Sequence, residues 1–231
     1  MTGFSDSFLE AVRDYRFLLD RGYPVPSTLA LVGNRWRLEK SERIILFRGV
    51  LPSAMSRSNA SRRVEALPPA ARLAVDGYNV LFTLANFLAG HPVFIATDGF
   101  VRDAGGAHGR VGNEARFERA MQEMCARLVS LQPSWVEVFL DAPVSKSADH
   151  AAAIRRLMEV HGIAGEVMLV PGADGPVAKW EGGFCATSDS AVIAKAASPV
   201  FDLARDILDT WGQTPGLSLA ELLPLNGTVK A

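Results

Sequence analysis

From residue 72 onward, short runs that are apolar throughout alternate with longer stretches in which apolar positions return every three or four residues. The runs are RLAV (72–75), PVFIAT (92–97), WVEVFL (135–140), EVMLV (166–170), FCAT (184–187) and PVF (199–201). Between and after them lie VLFTLANFLA (80–89), EARFERAMQEMCARLVSL (114–131), ADHAAAIRRLMEVHG (148–162), SDSAVIAKAA (188–197) and LARDILDTW (203–211). Strands without polar alternation are buried on both faces. The pattern therefore predicts a mixed α/β domain whose mainly parallel sheet is covered by helices.

The first 68 residues read differently. Ser7 and Glu10 have capping-box spacing, and Phe8, Val12, Tyr15 and Leu19 follow on one helical face. Gly22, Pro24 and Pro26 break that helix. Ser27 is placed to cap STLALV, and Ser41 to cap ERIILFR, with Gly33-Asn34 and Gly49 as the stops. The polar, basic stretch SAMSRSNASRRVEALPPAAR (53–72) reads as a linker. This divides the chain into a small all-helical module with a basic linker, 1–68, and an α/β domain, 69–231.

Charge sharpens the division. Residues 1–68 hold 11 Lys and Arg against 7 Asp and Glu, and residues 69–231 hold 13 against 18. A basic segment beside an acidic domain suits a polyanion partner with a cation-binding site next to it. Arg35, Arg37, Lys40 and Arg43, with Arg48 and Trp36 nearby, are the candidates for nucleic-acid contact; solvated helix faces explain the same residues more plainly. Cys125 and Cys185 are isolated from each other and from any Cys/His cluster, which argues for a reducing compartment. With neither a secretory leader nor a membrane-length apolar run, the expectation is a cytoplasmic protein without a membrane partner. A homo-oligomer is compatible with the sequence.

The candidate chemistry lies where strands end. Asp76 closes the first apolar run, Asp98 the second and Asp141 the third, and Asp189 follows the fifth by two residues. Carboxyl ends of parallel strands form the ligand crevice of open α/β sheets. One such Asp is a turn or cap residue, but four repel one another, and a divalent cation offsets that repulsion. An all-oxygen set suits Mg²⁺ or Mn²⁺. Asn79 and Ser188 are placed to orient a water or a phosphate oxygen, and each is also a helix-start residue.

Two loops add anion chemistry. DGFVRDAGGAHGRVGNE (98–114) offers Arg102, His108 and Arg110 to phosphate and Asp103 to a metal, or is a surface loop. LDAPVSKSADH (140–150) sets Ser145, Lys146 and Ser147 before a helix N-terminus, an anion-binding position. Asp149, in that helix's first turn, is either a supporting carboxylate behind the site or a partner for the helix dipole, and Asp174 reads as a turn residue. A serine-hydrolase elbow, a dinucleotide fingerprint and histidine metal spacing are all missing from the sequence.

VDGYNV at the first strand, FLDAP at a middle strand and ATSDSAVI near the end resemble PIN-like nuclease domains of the NYN type over about 70–200. The whole chain also resembles an uncharacterised prokaryotic family in which a helical module precedes such a domain. The nuclease resemblance implies a three-layer α/β/α fold that binds Mg²⁺ or Mn²⁺ and cuts RNA. It implies Asp76, Asp141 and Asp189 as metal residues, Asp98 less directly, with Asn79 and Ser188 in support. The leading expectation is a divalent-metal-dependent ribonuclease; the rivals are a non-catalytic RNA- or protein-binding module and a phosphohydrolase of a small phosphorylated metabolite.

Overall fold

A computed structural model describes residues 5–105, 113–213 and 215–225. In chain order its elements are α1 (Asp6–Leu19), α2 (Val25–Arg35), α3 (Lys40–Gly49), α4 (Ser53–Ala60), β1 (Arg63–Val64), β2 (Arg72–Asp76), α5 (Gly77–Leu88), β3 (Val93–Ile95), β4 (Val101–Asp103) and α6 (Glu114–Leu131). There follow β5 (Trp135–Asp141), α7 (Ser147–Val160), β6 (Gly165–Val170), α8 (Asp174–Ala178), β7 (Phe184–Ala186), α9 (Ser190–Lys195), β8 (Val200–Phe201), α10 (Leu203–Thr210) and α11 (Leu219–Leu222). These sort into two compact units: 5–61 with 91–105 and 215–225, and 62–90 with 113–213. Among the described residues no helix is long and apolar enough to cross a membrane.

The second unit is the expected α/β fold. Six parallel strands run in the order β1-β8-β7-β2-β5-β6, flanked by helices. The central strand β2 buries Leu73, Ala74 and Val75 completely, as an apolar run with neighbours on both sides must. From β2 the chain lays down β5 and then β6 on one side. It next returns to the other side of β2 for β7 and β8. The connections thus reverse direction between β2 and β7, the position where α/β sheets open a crevice at their carboxyl ends. Gly77 lets α5 start hard against β5: a Cβ there would stand 2.6 Å from Leu140 Cδ2 and 3.0 Å from the Phe139 carbonyl oxygen.

The first unit holds the N-terminal helices, whose single apolar face was legible. Phe8, Val12, Tyr15 and Leu19 of α1 pack with Val32, Ile45 and Leu46 into one core. The capping differs from expectation. Ser5 caps α1, α2 starts after Pro24, and Glu39 with Glu42 forms the capping box of α3. Part of the supposed linker is helix α4, which buries Ser56 and Asn59.

The run at 92–97 corrects a larger expectation. It does not enter the parallel sheet; β3 pairs antiparallel with β4 in a two-stranded hairpin, and Phe94 and Ala96 complete the helical core. Gly99, at φ 83°, supplies the positive dihedral that this tight connection needs. A three-residue strand followed at once by a glycine turn favours local pairing over a crossover of the dozen or more residues that a parallel neighbour requires.

Candidate active site

Three aspartates at the carboxyl end of the sheet start helices. Asp76 caps α5, accepting the Asn79 N–H at 3.4 Å. Asp189 caps α9, its Oδ1 taking the N–H groups of Ala191 at 2.8 Å and Val192 at 3.1 Å. Asp202 caps α10 after β8. Capping alone explains their positions. It does not explain their burial or their cross-links.

Asp76 is 4% exposed. Its Oδ2 accepts the Thr187 hydroxyl at 2.9 Å, and Thr187 Oγ1 in turn accepts the Asp189 N–H at 3.1 Å. One hydroxyl therefore joins both carboxylate-bearing turns at the carboxyl ends of the paired strands β2 and β7. Asn79 makes a second link: its Oδ1 accepts the N–H of Ser188 at 2.7 Å and the Ser188 hydroxyl at 3.0 Å. A backbone N–H can only donate, which fixes the amide and leaves Asn79 Nδ2 as a donor without a partner among the described residues.

Asp141 ends β5 two residues beyond Phe139, which is level with Asp76 in the neighbouring strand. Its Oδ1 accepts the Ala173 N–H at 2.9 Å and so fixes the start of α8, where Asp174 sits. Burial raises the Asp76 carboxyl to about 7, with the Asp189 and Asp174 charges adding to the rise while the Thr187 and Asn79 hydrogen bonds oppose it. Asp174 is raised by its partial burial and by the charges of Asp189 and Asp141, against a smaller pull from Lys195. Four carboxylates thus act on one another.

Among the described residues no three His, Cys, Asp or Glu side chains stand close enough together to hold an ion unaided. Oδ2 of Asp141 and Oδ2 of Asp189 accept no hydrogen bond from the described residues. An oxygen-only set with two uncommitted oxygens suits Mg²⁺ or Mn²⁺, because Mg²⁺ takes one or two carboxylates directly and keeps several waters.

Other expected site residues lie elsewhere. Asp98, Arg102 and Asp103 belong to the helical unit. Arg102 forks onto Asp98 at 3.0 and 2.8 Å, and Asn59 Nδ2 donates to the same carboxylate at 3.1 Å. The Arg102 guanidinium thereby neutralises the Asp98 carboxylate, which corrects its place as a metal residue, and Arg102 is committed to a buried ion pair rather than to substrate. Asp103 pairs with Arg48 at 3.0 Å and accepts the Gly105 N–H. His108 and Arg110 lie outside the described residues.

The Ser147 hydroxyl donates to the Ala142 carbonyl, Lys146 pairs with Glu114 at 2.8 Å, and Ser145 is exposed. Arg43 bonds the Leu38 carbonyl and Asn34 Oδ1, tying α3 to the end of α2. Trp36 donates to Asp14, with Arg35 over its ring, and Arg37 and Lys40 are exposed. Sequence reasoning missed Thr187 and undervalued Asp174. The hydroxyl-rich TSDS after a strand was the available signal for the first. For the second there was none, since Asp174 arrives through Asp141's bond to Ala173.

Residues 69–206 match the family model described as Domain of unknown function (DUF5616). This chain belongs to that family. The DUF5616 span contains all four interacting carboxylates as well as the β3–β4 hairpin. Residues 7–62 match a second model, Protein of unknown function (DUF434). An uncharacterised protein of Methanocaldococcus jannaschii is 28% identical over 206 residues, covering 88% of this chain and 97% of its own length. The relation to it spans both segments. No solved structure matches the chain.

Proposed function

We propose that the α/β unit is a divalent-metal-dependent ribonuclease that hydrolyses phosphodiesters at the β2/β7 crevice. The observation that carries this reading is Asp76: a buried carboxyl at the end of β2, tied through the Thr187 hydroxyl to the Asp189 turn, and pushed up to about 7 by burial and further by the Asp189 and Asp174 charges. Such a group is costly to ionise unless a cation offsets it, and a perturbed carboxylate at a sheet switch point is a functional-site candidate. The resemblance of VDGYNV, FLDAP and ATSDSAVI to PIN-like nucleases points the same way.

Asp76, Asp141 and Asp189 would hold Mg²⁺ or Mn²⁺, with Asp174 adding charge. An ion bound there would supply Lewis acidity towards a phosphate and a lowered pKa for a water near neutral pH. Thr187 orients Asp76 and biases it towards its ionised form. Ser188 fixes the Asn79 amide so that Nδ2 presents a donor to a water or a phosphate oxygen. Arg37 and Lys40, exposed on the other unit, are available to RNA phosphates. The cytoplasm is the compartment this reading expects, and a homo-oligomer is compatible with it.

The test is cleavage of labelled single-stranded and structured RNAs by the full chain with Mn²⁺ or Mg²⁺. Metal-dependent cutting that disappears in Asp76→Asn and in EDTA supports the reading. A folded protein that binds RNA without cutting it points to a binding module, and one that releases phosphate only from small phosphorylated compounds points to a metabolite phosphohydrolase.

A further inference from the structure

His150 is 3% exposed, and its two ring nitrogens differ in what they meet. Nδ1 stands 2.9 Å from the Tyr78 hydroxyl. That hydroxyl has no other partner among the described residues, so its proton goes to Nδ1. Burial lowers the His150 pKa against the raising pull of Glu114 and keeps the ring neutral. A neutral imidazole that accepts at Nδ1 carries its proton on Nε2. Nε2 is buried and makes no hydrogen bond. It faces Glu114 Oε2 at 3.8 Å, too far for one.

The other oxygen of the same carboxylate, Glu114 Oε1, accepts from Lys146 Nζ at 2.8 Å. Lys146 precedes α7, a helix of 14 residues whose start has no side-chain cap. The Ser147 and His150 N–H groups are satisfied by the Val144 and Lys146 carbonyls. Those of Ala148 and Asp149 have no acceptor among the described residues. An ammonium and a buried imidazole N–H thus meet one glutamate, and the ammonium belongs to the residue at an uncapped helix start. Such donors suit an anion with several acceptor oxygens better than a carboxylate that reaches only one of them well.

We propose that Lys146, His150 Nε2–H and the first turn of α7 form a phosphate subsite in which Glu114 is an internal stand-in, displaced when a phosphate binds. The Glu114 side chain is 55% exposed and free to swing outward. Asp149, exposed in the same turn, opposes an anion, so Lys146 carries the compensating charge. The subsite belongs to the elements that carry the carboxylates: α7 follows β5 and Asp141, and Tyr78 lies two residues after Asp76. Its role in holding a neighbouring phosphate of a polynucleotide rests on the nuclease reading, whereas binding of phosphate itself does not.

The experiment is titration of the full chain with inorganic phosphate, without divalent metal, followed by calorimetry and by the ring ¹⁵N shifts of His150. Phosphate should shift Nε2 saturably. Glu114→Gln should bind it about tenfold tighter and Lys146→Gln about tenfold more weakly, each about 1.4 kcal/mol. Both side chains are exposed, so neither substitution threatens the fold. An unmoved His150 at high phosphate, or equal affinity in wild type and Glu114→Gln, overturns the proposal. RNA cleavage by wild type and Glu114→Gln alike, with no phosphate effect at His150, would sink the subsite and leave the nuclease standing. Phosphate binding as described, with no RNA cut, would sustain the subsite and sink the nuclease.

Discussion

The Thr187 hydroxyl donates to Asp76 Oδ2 at 2.9 Å while accepting the Asp189 N–H at 3.1 Å. It is the hinge of the site, because it favours the ionised form of a carboxyl that burial pushes the other way. Thr187→Val keeps the shape and removes the hydroxyl. The Asp76 pKa should then rise above its value of about 7, and the acid limb of any pH–rate profile should move to higher pH. Stability should fall by about 1–3 kcal/mol where Asp76 is ionised. Profiles of the two proteins, measured side by side, check this.

Asp76 also makes stability depend on pH. Its carboxyl is raised from 3.8 to about 7 in the folded chain. Between those values the folded chain keeps a proton that the unfolded chain has released, so stability falls as pH rises through that window and levels off above it. Asp76→Asn, a neutral near-isostere, should be more stable than wild type at pH 8, on the order of 2–4 kcal/mol, and little changed at pH 4. Urea unfolding at both pH values decides the sign.

A bound cation should reverse that burden. Mn²⁺ at a hundredfold excess over its Kd should stabilise the wild type by about 2.7 kcal/mol, and stabilise Asp76→Asn or Asp189→Asn much less. Thermal unfolding with and without Mn²⁺ at pH 8 measures the difference. Equal stabilisation of all three proteins would place the metal elsewhere.

In the helical unit, Arg102 and Asp98 are 3% and 0% exposed and share a two-pronged ion pair. Removing one member strands the other in the interior. Arg102→Met should cost about 3–5 kcal/mol, read from urea unfolding. If Arg102 instead served substrate, the substitution would leave stability intact and weaken RNA binding.

Gly77 is required by space. Any Cβ there meets Leu140, Val138 and the Phe139 carbonyl, so Gly77→Ala should destabilise by about 1–3 kcal/mol. It should also lower activity, since the start of α5 carries Asn79. Calorimetric unfolding checks the first effect and the RNA assay the second.

The sheet was legible because the middles of its central strands are apolar. LAV, VFL and CA leave no polar residue to mark a solvent face, and helices of the right period separate them. Asp76, Asn79, Asp141, Ser188 and Asp189 were legible as a set because each follows a strand or opens a helix. Asp98 has the same local context, yet it sits on a hairpin in the other unit. Nothing in PVFIATD distinguishes a hairpin arm from a sheet strand until the antiparallel partner at 101–103 is in view. Glu114 and His150 escaped notice for a related reason. They are 36 residues apart, and only the packing of α6 beside α7 brings them to one carboxylate-centred cluster.

The most direct measurement is single-turnover cleavage of a labelled RNA at pH 8 as a function of Mn²⁺, for wild type and Asp76→Asn, with folding of both verified by circular dichroism. The rate should saturate with Mn²⁺ in the wild type, vanish in EDTA, and fall by at least about a hundredfold in the variant. Undiminished cleavage by a folded Asp76→Asn protein, or no cleavage by wild type at any Mn²⁺ concentration, would contradict the nuclease reading.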